Sequence, residues 1–485
     1  MNRDQGSKGG ACGDQEARCL QSAPKAKSQK LRPWTPPGAT GPWTPLTHPI
    51  RLAVRFLVLA LLTLCASEAT AEPTVHMLST QLAPIEEARR FTEHILSRFT
   101  GPRVIFQPAQ LSVFLSRLAD RPPHATGEID LAAGLVVEEL QPLADQHRLL
   151  PLTDLEPRLR QQGIPDETLD ATRPNPQHPR YIVPWLHATY IMAARKEALA
   201  HLPPGADPQN LTYDDLLHWG ETLHRVTGSP KIGLPAGEKG LLLMLLPGTI
   251  LPAFTGSVVN GFVSPEAEAA WEWLRRVWPH VHPASTTFHF MQDHLLSGEV
   301  WVTLEHTARL TDAFRRQPDT FVALPVPRGP KGRFSRLTTN GLAIPDNAPH
   351  PEAARKVIEF LTQPATQEQL LLEEGFLPVT PITDQSAPEL MGMVQAAERQ
   401  NRDPLTQRVH QPRELGHQET DFNAIFLTTF SRIVLRGKPV AEVIRAQGAE
   451  LATLYQSANA PCVPPDRAGE RPCRVNPAMA AEHTP

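Results

Sequence analysis

Between residues 74 and 144 short apolar runs alternate with stretches whose apolar residues recur every three or four positions, and this constrains the fold more than any other feature of the chain. Residues 74–79 predict a strand that ends at the polar turn Thr80-Gln81. Ile85, Ala88, Phe91, Ile95 and Phe99 then keep helical spacing until Gly101-Pro102 stops them. Residues 103–106 and 129–133 repeat the strand pattern, and residues 112–118 and 136–144 repeat the helix. Strands alternating with helices predict an α/β fold, with a mostly parallel sheet covered by helices on both faces.

Beyond residue 180 the rhythm changes. Residues 181–193 read as one long extended stretch, too apolar for a surface loop. Residues 211–298 read as mainly helical, with helices expected at 213–226, 241–246 and 266–278. Strands are expected at 300–304, 321–324 and 337–344, and helices at 352–362, 366–374, 422–435 and 440–455. The 51 prolines in 485 residues are about twice the usual 5% and imply sharply stopped helices.

Residues 51–71 stand apart. Arg51 and Arg55 precede the apolar run 56–62, and Ala69-Thr70-Ala71 follows. Basic flank, short apolar core and small-residue exit read as a signal peptide cleaved near Ala71, which sends the protein to the periplasm. The run is shorter than the ~20 residues that span a bilayer. Residues 1–50, rich in Lys, Pro, Gly and Ser, show no period and read as a leader of doubtful status. Cys65 follows Leu64, a large residue where lipid attachment would need a small one.

Cleavage changes the charge balance. Residues 1–71 hold nine of the 47 Lys and Arg and four of the 51 Asp and Glu, so 38 and 47 remain, a net of −9. No basic stripe survives, which argues against nucleic acid as a partner. Of the five cysteines, Cys462 and Cys473 remain beyond the signal, and an isolated exported pair reads as a disulfide.

The order of several short motifs resembles the extracellular solute-binding proteins of ABC importers, in the large sugar-binding group that includes maltose-binding protein. Glu128-Ile129-Asp130-Leu131 with the later Leu149-Leu150-Pro151-Leu152-Thr153-Asp154-Leu155 is similar to one passage of that group. Tyr181-Ile182-Val183-Pro184-Trp185 is similar to its crossing strand, and Leu211-Thr212-Tyr213-Asp214-Asp215-Leu216 to a helix start. Ser297-Gly298-Glu299-Val300-Trp301, Ala323-Leu324-Pro325-Val326-Pro327, Pro351-Glu352-Ala353-Ala354-Arg355 and Gly437-Lys438-Pro439-Val440-Ala441-Glu442 follow in the family's order.

The resemblance implies a two-lobed periplasmic-binding-protein fold. Each lobe is a mostly parallel sheet flanked by helices, joined by crossing hinge strands that close on a ligand. The first lobe is expected at 72–182 plus about 306–365, and the second at 183–305 plus about 366–456. Residues 457–485 are expected to be a Pro-rich tail holding the disulfide. The resemblance also implies a monomeric, non-enzymatic protein without cofactor. It would capture a small polar ligand, a sugar in the first instance, and deliver it to an ABC permease in the inner membrane.

Ligands in open α/β sheets sit at the carboxyl ends of strands. That rule nominates Thr80 and Gln81 after the first strand, Gln107 after the second, Trp185 and His187 on the crossing strand, Glu305 and His306 after residues 300–304, Asn340 in a late strand, and Phe376. Trp185 and Phe376 are the expected apolar walls; Gln81, Glu305 and Asn340 are the expected polar contacts. Asp130 is expected to brace a strand end, and Trp271, Trp273 and Trp278 to pack along a helix. After Asp130 the sequence Leu131-Ala132-Ala133-Gly134-Leu135 lacks the aromatic and second acid that maltose-binding protein has there, which favours a smaller ligand.

The rival constellation is His280, His282, His289, Asp293 and His294, which could bind zinc if folded together, as a metal site or a metal-dependent hydrolase. No G-x-S-x-G around a serine, H-E-x-x-H or Walker-type loop is present. The acidic pairs Glu138-Glu139 and Glu373-Glu374 read as neighbours on helix surfaces.

Overall fold

The computed structural model describes residues 72–475 apart from 120–126, 174–176, 238–239, 383–386, 413 and 416–417. The leader and signal expectations, the lipid question at Cys65, and Arg51 to Ala71 as a whole lie outside the described residues.

Twelve strands occur among the described residues. They are β1 (Val75–Ser79), β2 (Val104–Pro108), β3 (Leu131–Leu135), β4 (Val183–Ala188), β5 (Tyr190–Arg195), β6 (Ile232–Gly233), β7 (Val302–His306), β8 (Phe321–Leu324), β9 (Arg333–Ser335), β10 (Thr338–Ala343), β11 (Leu377–Pro378) and β12 (Thr406–Arg408). A six-stranded sheet has the order β11-β4-β10-β3-β1-β2 and a four-stranded sheet the order β6-β7-β5-β8, while β9 and β12 form a small ribbon. The sheets are mixed. β1 runs parallel to β2 and β3, and β6 to β7, whereas β10, β4, β11, β5 and β8 pair antiparallel. Most strands in each sheet still run one way; β10, β11 and β5 are reversed, the first and last because the chain crosses between lobes there.

The molecule is two-lobed, with the chain changing sheets at three places. It leaves the first sheet at Thr189, between β4 and β5. It returns after Ser335, between β9 and β10, and leaves again after β11. The expected lobe limits are therefore corrected. Residues 183–188 belong to the first sheet and β8 to the second. The helix Thr307–Arg316 packs Leu310, Ala313 and Phe314 with Ile191 and Phe321 of the second sheet. β11 pairs with β4, and Leu370 of the helix Pro364–Glu374 joins the first lobe's core. Helical periodicity shows that a helix has a buried face, but not which sheet it covers.

Local chemistry explains several elements. Thr212 and Asp215 form a capping box at the start of the helix Tyr213–Thr227, and Gly228 ends it with φ 74°. Tyr213, Leu216, Leu217, Trp219 and Leu223 are its buried stripe. The helix Pro388–Arg402, absent from the expectations, buries Leu390, Met393, Val394, Ala396 and Ala397 against the second sheet. Trp271 and Trp273 lie in the second lobe's core, and Trp278 packs on Phe430 at 4.9 Å. Gly341 in β10 is needed for close approach, since a Cβ there would lie 2.4 Å from Ile182 Cγ2.

Residues 457–475, the described part of the expected Pro-rich tail, pack on the second lobe. Cys462 and Cys473 are disulfide-bonded and belong to the second lobe's core. The buried Asp466 carboxylate accepts the N–H groups of Val258, Val259 and Asn260 at 3.0, 3.0 and 2.7 Å. The His410 N–H donates to Pro464 O at 2.9 Å, and Val409 N–H to Ser335 O at 3.0 Å. Among the described residues no helix is long and apolar enough to cross a membrane.

Candidate ligand cleft

The strand register fixes where a cleft can lie. β10 pairs Asn340 with Leu135, so the carboxyl end of β3, and of β1 beside it, meets the start of β10. β5 pairs Tyr190 with His306, so the carboxyl end of β7 meets the start of β5. The carboxyl ends of parallel strands from both sheets thus converge on the crossing segments 188–190 and 335–338, where such folds hold ligands.

The crossings are tied together by a buried polar network. Thr189 Oγ1 lies 3.0 Å from Ser335 Oγ and donates to Arg336 O at 3.1 Å. Gln400 Nε2 donates to Tyr190 O at 2.9 Å and to Ser335 Oγ at 2.8 Å, while its Oε1 accepts Val326 N–H at 2.8 Å. With every partner satisfied, the network sets one geometry for the hinge.

Three of the nominated side chains, His306, His187 and Phe376, lie at this junction, while Thr80 and Gln81 lie at the carboxyl end of β1 on the first lobe. His306 caps the helix Thr307–Arg316 through Nδ1, which accepts the Ala308 N–H, and its ring lies 5.3 Å from Tyr190 and 6.0 Å from Phe376. Burial, then the nearby Arg336 charge, lowers the His306 pKa to about 4, so the ring is neutral at pH 7. His187 meets Thr339 Oγ1 at 3.1 Å, and burial with the Arg408 charge lowers it to about 4 as well. On the first lobe, Thr80 donates to Glu139 and accepts from Gln81 Nε2 at 3.1 Å.

Several nominated side chains are taken up by the core or by internal partners. Trp185, expected as an apolar wall, is fully buried in the first lobe's core, 5.7 Å from the Phe91 ring. Trp185 is the extra residue of a bulge in β4, unpaired between Pro184 opposite Gly341 and Leu186 opposite Asn340, and such a bulge re-aims side chains. Glu305, expected as a polar contact, is fully buried and already occupied by the Met291 and His306 N–H groups, each at 3.0 Å. Burial outweighs those two bonds and raises its pKa to about 8. Gln107, on the edge strand β2, accepts from Arg117 at 2.9 Å. Phe376 is buried, with the first lobe's core on its other side. Asn340 is fully buried with neither amide atom partnered.

Several residues differ from their sequence reading. Glu139 is buried rather than on a helix surface, and it accepts the Leu135 N–H at 3.0 Å besides Thr80. Glu374 is buried beside Arg90 at 3.0 Å, its pKa raised to about 7 by burial, while Glu373 reaches His94 at 2.8 Å. Asp130 braces the sheet as expected, accepting His76 N–H at 2.8 Å and His350 N–H at 2.7 Å. Sequence reasoning missed Arg336, Tyr190 and Arg309. Arg309 pairs with Glu87 of the first lobe and lies 4.5 Å over the Phe290 ring, linking the lobes beside the junction.

The histidine constellation comes together only in part: the His282 and His294 rings lie 5.6 Å apart. His280 faces His224 at 3.1 Å, and His294 pairs with Glu299. Among the described residues no three His, Cys, Asp or Glu side chains could hold a metal ion together.

No curated protein sequence matches the chain. Solved structures do resemble it. The maltose-bound T. maritima MalE3 is 18% identical with a TM-score of 0.61, and the match covers 79% of this chain and 99% of that one. UgpB from Mycobacterium tuberculosis in complex with glycerophosphocholine is 19% identical with a TM-score of 0.60, covering 79% and 98%. A solute-binding protein from Agrobacterium vitis with bound D-mannitol is 13% identical with a TM-score of 0.59, covering 80% and 100%. These likenesses establish the two-lobed fold. The profile of one family matches residues 123–368, more than half of the sequence, and with the convergent strand ends it gives the assignment: this chain belongs to the bacterial extracellular solute-binding proteins.

Proposed function

We propose that the chain is the substrate-binding subunit of an ABC importer, acting outside the cytoplasm after cleavage near Ala71. It takes a carbohydrate or similar small polar solute between its lobes and presents the closed form to a membrane permease. It works as a monomer and catalyses no reaction. The observation that carries this reading is the convergence of strand ends from both sheets on the crossings at Thr189 and Ser335. Thr80, Gln81, His187, Tyr190 and His306 supply hydroxyl, amide, imidazole and aromatic groups at those strand ends and crossings. These are the groups that fix the orientation of a polar ligand within apolar walls.

The test is a thermal-shift screen of residues 72–485 against sugars, polyols, phosphorylated glycerols, amino acids, polyamines and divalent metals. A ligand bound by the folded state alone stabilises it by about 2.7 kcal/mol at a hundredfold excess over Kd. A shift with a sugar or polyol class supports the proposal. A shift with zinc alone, reversed by chelator, refutes it.

A further inference from the structure

Three arginines are buried among the described residues: Arg180, Arg333 and Arg336. Arg180 is paired with Glu156 at 3.1 Å, and Arg333 with Asp403 at 2.7 Å. Arg336 differs from both. It is 8% exposed, and no carboxylate pairs with it among the described residues. Its one hydrogen bond from the guanidinium runs from Nη1 to the Met244 sulfur at 2.9 Å, and a thioether is a weak acceptor. Its Nε and Nη2 make no hydrogen bond among the described residues and are not shut away with the buried unpartnered groups, so this part of the fork is open to pair with an anion that reaches the junction.

The position fits such a pairing. Arg336 lies in the crossing between β9 and β10, its carbonyl held by Thr189. Gly248 backs its stem, since a Cβ there would touch Arg336 Cβ at 3.5 Å. It lines a narrow cavity with Met244, Phe422 and Gln411. Its positive field reaches His306 and Tyr190, the aromatic groups at the junction. Gln411 Oε1, on the same wall, is buried without a donor. An anion satisfies the guanidinium and a hydroxyl satisfies the amide oxygen. Glu419 also borders this cavity, whose volume of about 20 Å³ holds one water-sized group, so a solute anion would meet the guanidinium from the junction side.

Resting on the binding reading above, we infer that the solute is a hydroxylated anion, a phosphate- or carboxylate-bearing polyol or sugar, and that Arg336 is its charge anchor. The two chemistries share the oxyanion that a guanidinium fork recognises. The class narrows the substrate beyond neutral sugars.

The experiment is calorimetric titration at pH 7 of the wild-type protein, Arg336→Met and Arg336→Lys, using matched pairs: glycerol and glycerol 3-phosphate, D-mannitol and mannitol 1-phosphate, glucose and gluconate. The inference expects an anionic member to bind and its neutral partner to fail. It expects Arg336→Met to weaken binding about 10- to 100-fold, as for a lost hydrogen bond to a charged group. Arg336→Lys should recover part of that loss. Whether phosphate or carboxylate binds distinguishes the two sources of the anion. Neutral members binding as well as their anionic partners would overturn the inference and leave the binding-protein reading standing. Anion binding unchanged in Arg336→Met would also overturn it. No binding by any sugar or polyol, with the wild-type protein folded, would overturn both. The wild-type comparison decides the question even if a variant fails to fold.

Discussion

Glu305 gives the sharpest quantitative expectation. Its carboxyl is fully buried, and its two oxygens accept the Met291 and His306 N–H groups at 3.0 Å each. Burial raises its pKa to about 8 from the ordinary 4.5. Below about pH 4.5 the folded and unfolded forms are both protonated here. Between that pH and about 8 the folded form keeps a proton that the unfolded form has released. Stability from this group therefore falls as pH rises through that window, and is level above it. Each pH unit is worth about 1.4 kcal/mol, so the full window amounts to roughly 5 kcal/mol at most. Glu305→Gln cannot ionise, so its stability should lack this slope. It should also start lower by about 1–3 kcal/mol, because one of the two N–H groups loses its acceptor. Urea denaturation of both proteins at pH 5, 6.5 and 8 measures the difference. The wild-type lead should shrink or reverse as pH rises. Parallel profiles would show that Glu305 is ionised throughout, and that two backbone donors overcome burial.

Trp185→Ala should cost about 3–5 kcal/mol of stability, as for other buried aromatics, and leave the affinity of the folded fraction unchanged; a selective loss of affinity would return Trp185 to the cleft wall. Glu156→Gln removes the counter-charge shared by Arg180 and Arg173, and breaking such a buried pair costs about 3–5 kcal/mol; a melting temperature unchanged in differential scanning calorimetry would refute that accounting. Reducing Cys462–Cys473 should speed hydrogen exchange at the Val258, Val259 and Asn260 amides, which donate to Asp466 inside the bridged loop; unchanged exchange would mean that packing alone holds the loop. Glu87→Ala removes the Arg309 tie between lobes and should expand the ligand-free protein in solution scattering; an unaltered radius of gyration would count against the tie.

The sequence carried local elements well and long-range choices poorly. Thr212 and Asp215 lie three residues apart, so the helix start was visible in the sequence. The helix Pro388–Arg402 was missed, because Gly392 and the charged positions dilute the helical spacing of Leu390, Met393, Val394 and Ala397. The crossing at Thr189 fell within the expected extended stretch, whereas the return after Ser335 depended on which strand β8 would choose, information spread over distant residues. In the site, strand ends pointed to Thr80, Gln81 and His306. They could not place Trp185, because its place as the extra residue of a bulge depends on how β4 pairs with β10, about 155 residues downstream. Arg336 is an ordinary arginine in the sequence. Its meaning comes from the carboxylate that folding does not bring to it.

The three sheet changes also set an order of events. The first lobe draws its strands from residues up to Pro378, so its sheet can be complete once that strand has been made. The second lobe waits longer. Its core includes Ile444, Leu451, Tyr455, Cys462 and Cys473, more than 250 residues after β5 opens its sheet. An emerging chain therefore passes through a long interval in which one half can close and the other stays exposed. Domains with such distant contacts fold slowly. Slow closure keeps the chain unfolded for longer, the condition a polypeptide needs if it is to be threaded through a narrow pore before it sets.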